Sequence, residues 1–276
     1  MYCETFVTAS KRYLPAIEGE GPLNELHNNY LKEIDPDNRK LQESSFMLDT
    51  FMNYIHLFSS PEEPASYEEL DPIIALVRDS DLAFQKTLLY QLWGQLVLEE
   101  RIEAANYLAE SYLIFLSKTL GDQDMATMLT NFMNTSVGQI APDFSWKNEE
   151  GDKEQTFSAL NSAEKYILVF WSSACSHCMK ELPNLQKALV HVPQEQYQVV
   201  AVGLEDEPYD WKNETYRYPR FVHVLGLGKW ENEIGNLYGV SGTPTYLVLD
   251  KDKKILAKPE SFEELYSIIH SKTPQE

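Results

Sequence analysis

The apolar residues of this chain change their period near Val137, and that change restricts the possible fold more than any other feature. Upstream they recur every three or four residues. Between Asn38 and Phe58, the residues Leu41, Phe46, Met47, Leu48, Phe51, Met52, Ile55 and Phe58 trace one broad helical face. Ser59-Ser60-Pro61 ends this segment. A capping box from Ser66 to Glu69 opens the next, which carries Ile73, Ile74, Leu76 and Val77. The same pattern predicts helices over about 81–98, 101–119 and 123–135, with Gly121 at a helix C-terminus. No alternating β-branched run precedes position 137, so residues 1–136 are expected to form an all-helical domain.

Downstream, Gly138, Pro142 and Gly151 punctuate the chain and runs of strand length appear. Tyr166 to Trp171 (YILVFW) and Gln198 to Leu204 (QVVAVGL) are continuous apolar runs, and Phe221 to Leu225 and Thr245 to Leu249 are two more. Helical segments are expected between them at about 176–191, 208–216 and 231–238, with an amphipathic helix from Phe262 to Ile269 at the end. Asp250 to Lys254 reads as a hairpin turn leading into Ile255-Leu-Ala257. Strands interleaved with helices indicate an α/β domain over residues 137–276, a central mixed sheet flanked by helices. A chain of 276 residues accommodates two such domains at roughly 150 residues each.

The net charge is −20, which argues against a surface that neutralises phosphate or anionic lipid, so nucleic acid is excluded as a partner class. The excess is uneven. Residues 1–136 hold 9 basic and 22 acidic residues, against 14 and 21 in residues 137–276. A solvated polar face accounts for the acidic helical half, and a contact with a protein partner is the other reading of it. Met1 to Ser10 shows no basic segment followed by an apolar one, and no run approaches the ~18 apolar residues of a membrane span.

Three cysteines are present: Cys3, Cys175 and Cys178. That excludes a disulfide scaffold, and Cys3 reads as an incidental thiol. Cys175-Ser-His-Cys178 follows the apolar run 166–171 after the short turn Ser172-Ser-Ala174. On a helix starting at that turn the two cysteines share a face within disulfide reach. Cys175 would lie at the helix N-terminus, where free N–H groups favour thiolate, so it is the expected nucleophile. Cys178, one turn further in, would resolve the mixed disulfide. Metal binding through the cysteines and His177 is a competing reading, although a structural zinc needs four ligands and no second C-x-x-C occurs. Two inert buried thiols are the third. The position after a strand in an α/β pattern favours redox chemistry.

The segment Phe170-Trp171-Ser-Ser-Ala-Cys175-Ser-His-Cys178-Met-Lys-Glu181-Leu-Pro183, with Gly242-Thr243-Pro244-Thr245 further on, resembles the thioredoxin fold. Within that fold it is most similar to the TlpA/ResA type of bacterial envelope thiol–disulfide oxidoreductase. Val137 to Phe144 (VGQIAPDF) also matches the opening of that group, so the resemblance covers about residues 137–272. It implies a cofactor-free enzyme exchanging electrons with protein thiols and disulfides, served by an upstream electron donor, in a periplasmic or membrane-tethered extracytoplasmic setting. It makes Cys175 the nucleophile, Cys178 the resolving cysteine and Glu181 the active-site carboxylate. Thr243 and a cis Pro244, with His177 and Trp171, are assigned to the surface meeting the substrate. Pro183 is expected to kink the active-site helix.

Departures from the family pattern are informative too. Ala174 stands where thioredoxins carry Trp. Val169 replaces their buried aspartate, which leaves Glu181 as the leading proton acceptor. A peroxiredoxin pattern is met by Ser172 and Cys175 but fails at Leu168, where proline is required. His27, His56, His191, His223 and His270 stand singly, and His223 alone is expected to approach the cysteines. The expected activity is thiol–disulfide exchange, with reduction of targets favoured over oxidation. The alternative is a copper-handling or protein-docking module with little turnover.

Overall fold

The computed structural model describes residues 26–27, 29–59, 67–147 and 153–271. The expectations for Cys3, for a capping box at Ser66 and for Gly151 lie outside them. The chain divides into two compact units, residues 1–130 and 131–276.

Every secondary-structure element of the first unit among its described residues is a helix. α1 (Arg39–Gln42) and α2 (Phe46–Phe58) take the place of the single helix expected from Asn38 to Phe58. The interruption is local. Ser44 donates its hydroxyl to Leu41 O at 2.9 Å and accepts the Phe46 N–H at 3.3 Å, so a side chain replaces the helical ladder at that point. α3 (Tyr67–Val77) runs through Pro72, and α4 (Leu82–Leu98) starts on Asp81, whose carboxylate accepts the N–H groups of Ala83 and Phe84. A cap of this kind stabilises a helix by about 1 kcal/mol. The expected helix over 101–119 is α5 (Ile102–Leu108), a π-turn (Ala109–Leu113) and α6 (Ile114–Thr119) in succession, and α7 (Gln123–Asn134) follows. Gly121 adopts φ 76°, as a C-terminal glycine should. Phe51, Ile55, Ile73, Val77, Leu92 and Leu96, the residues carrying the helical period, are fully buried.

In the second unit, β1 (Ser145–Lys147) and β2 (Glu154–Thr156) form a small antiparallel pair. The main sheet contains β3 (Lys165–Trp171), β4 (Tyr197–Glu205), β5 (Val222–Leu227), β6 (Thr245–Asp250) and β7 (Ile255–Ala257), in the spatial order β5-β4-β3-β6-β7. β3, β4 and β5 are mutually parallel, β6 runs antiparallel to β3, and β7 antiparallel to β6. Helices α8 (Cys178–Ala188), α9 (Pro208–Thr215), α10 (Glu233–Leu237) and α11 (Phe262–His270) connect or close the strands.

Burial explains why the β3 and β4 segments lack alternation. Ile167, Val169 and Trp171 face one core layer with Leu182 and Leu185 of α8 and Leu265 and Ile269 of α11. Tyr166, Leu168 and Phe170 face a second layer on the other side. A strand covered on both faces reads as a continuous apolar run. Its neighbour in sequence, β4, lies on one side of β3, and β6 lies on the other. The C-terminal end of β3 is therefore a point where the chain path diverges, the place where open α/β sheets present their reactive groups.

Candidate active site

β3 ends at Trp171, and the next four residues form the turn that delivers Cys175. Ser172 O accepts the Cys175 N–H at 3.1 Å, and Cys175 O accepts the Met179 N–H at 3.1 Å, the first helical bond of the segment. Cys175 Sγ accepts the Cys178 N–H at 3.2 Å. The sulfur thus occupies the place of an N-cap oxygen, aimed at a backbone N–H that would otherwise lack a partner. α8 itself begins at Cys178, two residues later than the start expected at about 176, and continues through Pro183.

The two thiols differ in environment. Cys175 is half-buried and Cys178 fully buried. Burial pushes Cys175 up, but hydrogen bonds from the Cys178 and Thr243 side chains and from the Cys178 and His177 backbone outweigh it. Its pKa lies below the ordinary value. Burial also pushes Cys178 up, here reinforced by its hydrogen bond to Cys175, and its pKa rises to about 12. One sulfur is prepared as a thiolate and the other keeps its proton.

Thr243, Pro244 and Thr245 line the opposite side. The Thr243–Pro244 peptide is cis. Thr243 O lies 3.3 Å from Cys175 Sγ and accepts its thiol hydrogen, and Thr243 and Pro244 are both partly exposed. Glu181 lies half-buried on α8, and its Oε2 accepts the Tyr246 hydroxyl at 2.8 Å. Burial, and then the Glu181 carboxylate, push the Tyr246 hydroxyl well above its usual range. The tyrosine therefore always donates to Glu181. Tyr246 is opposite Val169 in the β3–β6 register. With an apolar residue at that position of β3, the polar group beneath the cysteines is the Glu181–Tyr246 pair.

The structure brings Cys175, Cys178, Glu181, Thr243 and Pro244 to one end of the sheet. His177 is exposed on the rim, immediately before α8. Trp171 requires a correction. It was expected to face the substrate, but it is fully buried and packs edge-on against Tyr218 at 6.4 Å, because the alternation of β3 turns it inward with Ile167 and Val169. His223 lies on β5. Its Nε2 is 3.0 Å from Tyr218 O, among Trp211 and Phe221. Among the described residues no group of three or more His, Cys, Asp or Glu side chains is placed to hold a metal ion.

Two residues of the site were not foreseen. Tyr246 is one. The other is Glu205, buried at the end of β4, whose carboxylate accepts the Ser172 hydroxyl at 3.1 Å, the Ser173 hydroxyl at 3.0 Å and the Ser173 N–H. An acid closing an otherwise apolar run was the available signal, but it reads equally as the first residue of the acidic loop Glu205-Asp-Glu207.

Residues 137–258 match the AhpC/TSA family. The thiol-disulfide oxidoreductase ResA of Bacillus anthracis is 24% identical over 144 residues, 52% of this chain and 81% of that one. A thioredoxin-like protein, YneN, of Bacillus subtilis is 29% identical over 152 residues, 52% of this chain and 84% of that one. Among solved structures, a putative thiol:disulfide interchange protein DsbE from Chlorobium tepidum is 26% identical. It covers 49% of this chain and 95% of its own, with a TM-score of 0.42. A thioredoxin-like protein from Bacteroides caccae covers 80% of this chain and 92% of its own, with 13% identity and a TM-score of 0.49.

Proposed function

We propose that this protein, whose residues 137–258 match the AhpC/TSA family, is a dithiol–disulfide oxidoreductase acting on disulfides of extracytoplasmic proteins, chiefly as a reductant. The observation that carries the reading is the unequal pair: Cys175 held toward thiolate and half-exposed, Cys178 buried with its pKa raised to about 12. The resemblance to envelope oxidoreductases supports the compartment and the direction.

The Cys175 thiolate attacks one sulfur of the target disulfide. A Cys175–target bond forms, the target S–S bond breaks, and the other target sulfur leaves as a thiolate that takes a proton from water. Cys178 then gives its proton to the Glu181 carboxylate and attacks Cys175 Sγ. The Cys175–Cys178 bond forms and the second target sulfur leaves. Two electrons have passed to the target. A dithiol donor protein restores the pair by the reverse exchange, and no bound cofactor takes part. Thr243 and Pro244 meet the substrate segment, and His177 borders the approach. Residues 1–136 act as a separate helical domain that contacts a protein partner.

Equilibration in glutathione buffers, read by the mass change at Cys175 and Cys178, tests this reading. A potential well below about −200 mV supports a reductant, and one near −120 mV assigns an oxidant. Failure to form the Cys175–Cys178 disulfide at any potential removes the reading.

A further inference from the structure

β4 runs beyond the last paired residue of β3. Trp171 pairs with Gly203, so Leu204 and Glu205 project past the end of β3 beside the turn that carries Cys175. The turn cannot continue the ladder there, and Glu205 supplies what the ladder would have supplied. It takes the Ser173 N–H on Oε1 and both serine hydroxyls on Oε2. Ser172 passes the constraint onward. Its Oγ accepts the Ala174 N–H at 3.2 Å and its carbonyl accepts the Cys175 N–H at 3.1 Å. Every residue from Ser172 to Cys175 is thereby tied, directly or through Ser172, to one buried carboxylate.

A buried carboxylate is costly unless its oxygens are hydrogen-bonded, and all three bonds given to Glu205 come from this turn. Its charge also works against a second anion nearby, since a like charge disfavours a thiolate. Geometry and charge therefore act on Cys175 in opposite directions. Cys175 Sγ sits 3.2 Å from the Cys178 N–H and 3.3 Å from Thr243 O, and both contacts depend on where the turn is held.

We propose that Glu205 is a positioning residue for the redox site: by clamping Ser172 and Ser173 it holds Cys175 Sγ against the Cys178 N–H, and this outweighs the opposing effect of its charge. The inference rests on Cys175 being the nucleophile. It adds a third element, the end of β4, to the two that sequence motifs identify.

The test is the pH dependence of Cys175 alkylation by iodoacetamide in the reduced full-length protein, for wild type, Glu205→Ala, Glu205→Gln and Ser172→Ala. Glutamine keeps the acceptor for Ser173 N–H, and the serine hydroxyls rotate to suit it. The expected result is a profile moved to higher pH in Glu205→Ala, with alkylation at pH 7 slowed about tenfold, one pH unit of displacement. Ser172→Ala moves the same way by less. Glu205→Gln stays at the wild-type position or slightly below, since the charge has gone and the clamp remains. An unchanged profile in Glu205→Ala, even with lower thermal stability, leaves Glu205 a merely structural residue and overturns the proposal. Where Glu205→Ala does not fold, an unchanged profile in Ser172→Ala overturns it, as does a Glu205→Gln profile displaced upward. A wild-type Cys175 that titrates like an ordinary thiol defeats the nucleophile assignment instead, a result recognisable before any variant is made.

Discussion

Alkylation of the reduced protein at pH 7 should modify Cys175 and spare Cys178, and the size of the preference follows from the two environments. A thiol with pKa 9.0 is about 1% thiolate at pH 7, and Cys175 lies below that pKa, so its thiolate fraction exceeds that value. Cys178 at about 12 is ionised in only about one molecule in 10⁵. The thiolate populations therefore differ by at least about 10³. A more basic thiolate is intrinsically the better nucleophile, and with a Brønsted slope of about 0.4–0.5 three pH units return a factor of about 20 to Cys178. The net preference is at least about 50-fold before access is considered. Complete burial of Cys178 widens it further. The assay is limiting iodoacetamide on a Cys3→Ser background, followed by peptide mapping over time. Equal rates at the two cysteines, or faster reaction at Cys178, would refute the assignment of roles.

Three more outcomes follow from the same structure. Unfolding measured from pH 8 to 11 should show the reduced protein losing stability above about pH 9, on the order of 1.4 kcal/mol per pH unit from Cys178 alone. The unfolded thiol ionises near 9.0 whereas the folded one keeps its proton to about 12, so the contribution is present below the lower value and lost on rising through the window. Cys178→Ala should flatten that limb, and an identical alkaline slope in both proteins would contradict the raised pKa. Tyr246→Phe removes the hydroxyl that donates to Glu181 and should cost about 1–2 kcal/mol. Stopped-flow with an aromatic disulfide should show the second, resolving phase slowed and the first attack unchanged; a change confined to the first phase would argue against Glu181 as the proton acceptor. In Gly203→Ala the new Cβ would clash with Nε1 and Cδ1 of the Trp211 ring, so urea denaturation should register a loss of about 1–3 kcal/mol. Wild-type stability in this variant would mean that Trp211 does not lie against β4.

What was legible in the sequence was what local pattern encodes. β3 and β4 announced themselves as apolar runs because both faces of each are covered, and Cys175 and Cys178 because their spacing is itself the chemistry. The helix break at Ser44 was missed since it depends on one hydroxyl competing with the backbone, which periodicity does not register. Trp171 stands four residues before Cys175, yet strand alternation places it with Val169 in the core, which the motif alone does not show. Glu205 and Tyr246 were illegible for a different reason. Each meets a partner outside its own strand, 33 and 65 residues away in the chain, so no window of sequence contains both halves of the contact.

The central claim is that Cys175 attacks a protein disulfide and Cys178 releases the product, and capture of the covalent intermediate tests it most directly. A full-length Cys178→Ser variant on the Cys3→Ser background, incubated with a disulfide-bonded protein such as insulin, should accumulate a mixed disulfide mapped by mass spectrometry to Cys175. The matching Cys175→Ser variant should accumulate none. Absence of any adduct on Cys175, or adducts formed equally through Cys178 in the Cys175→Ser variant, would contradict the account.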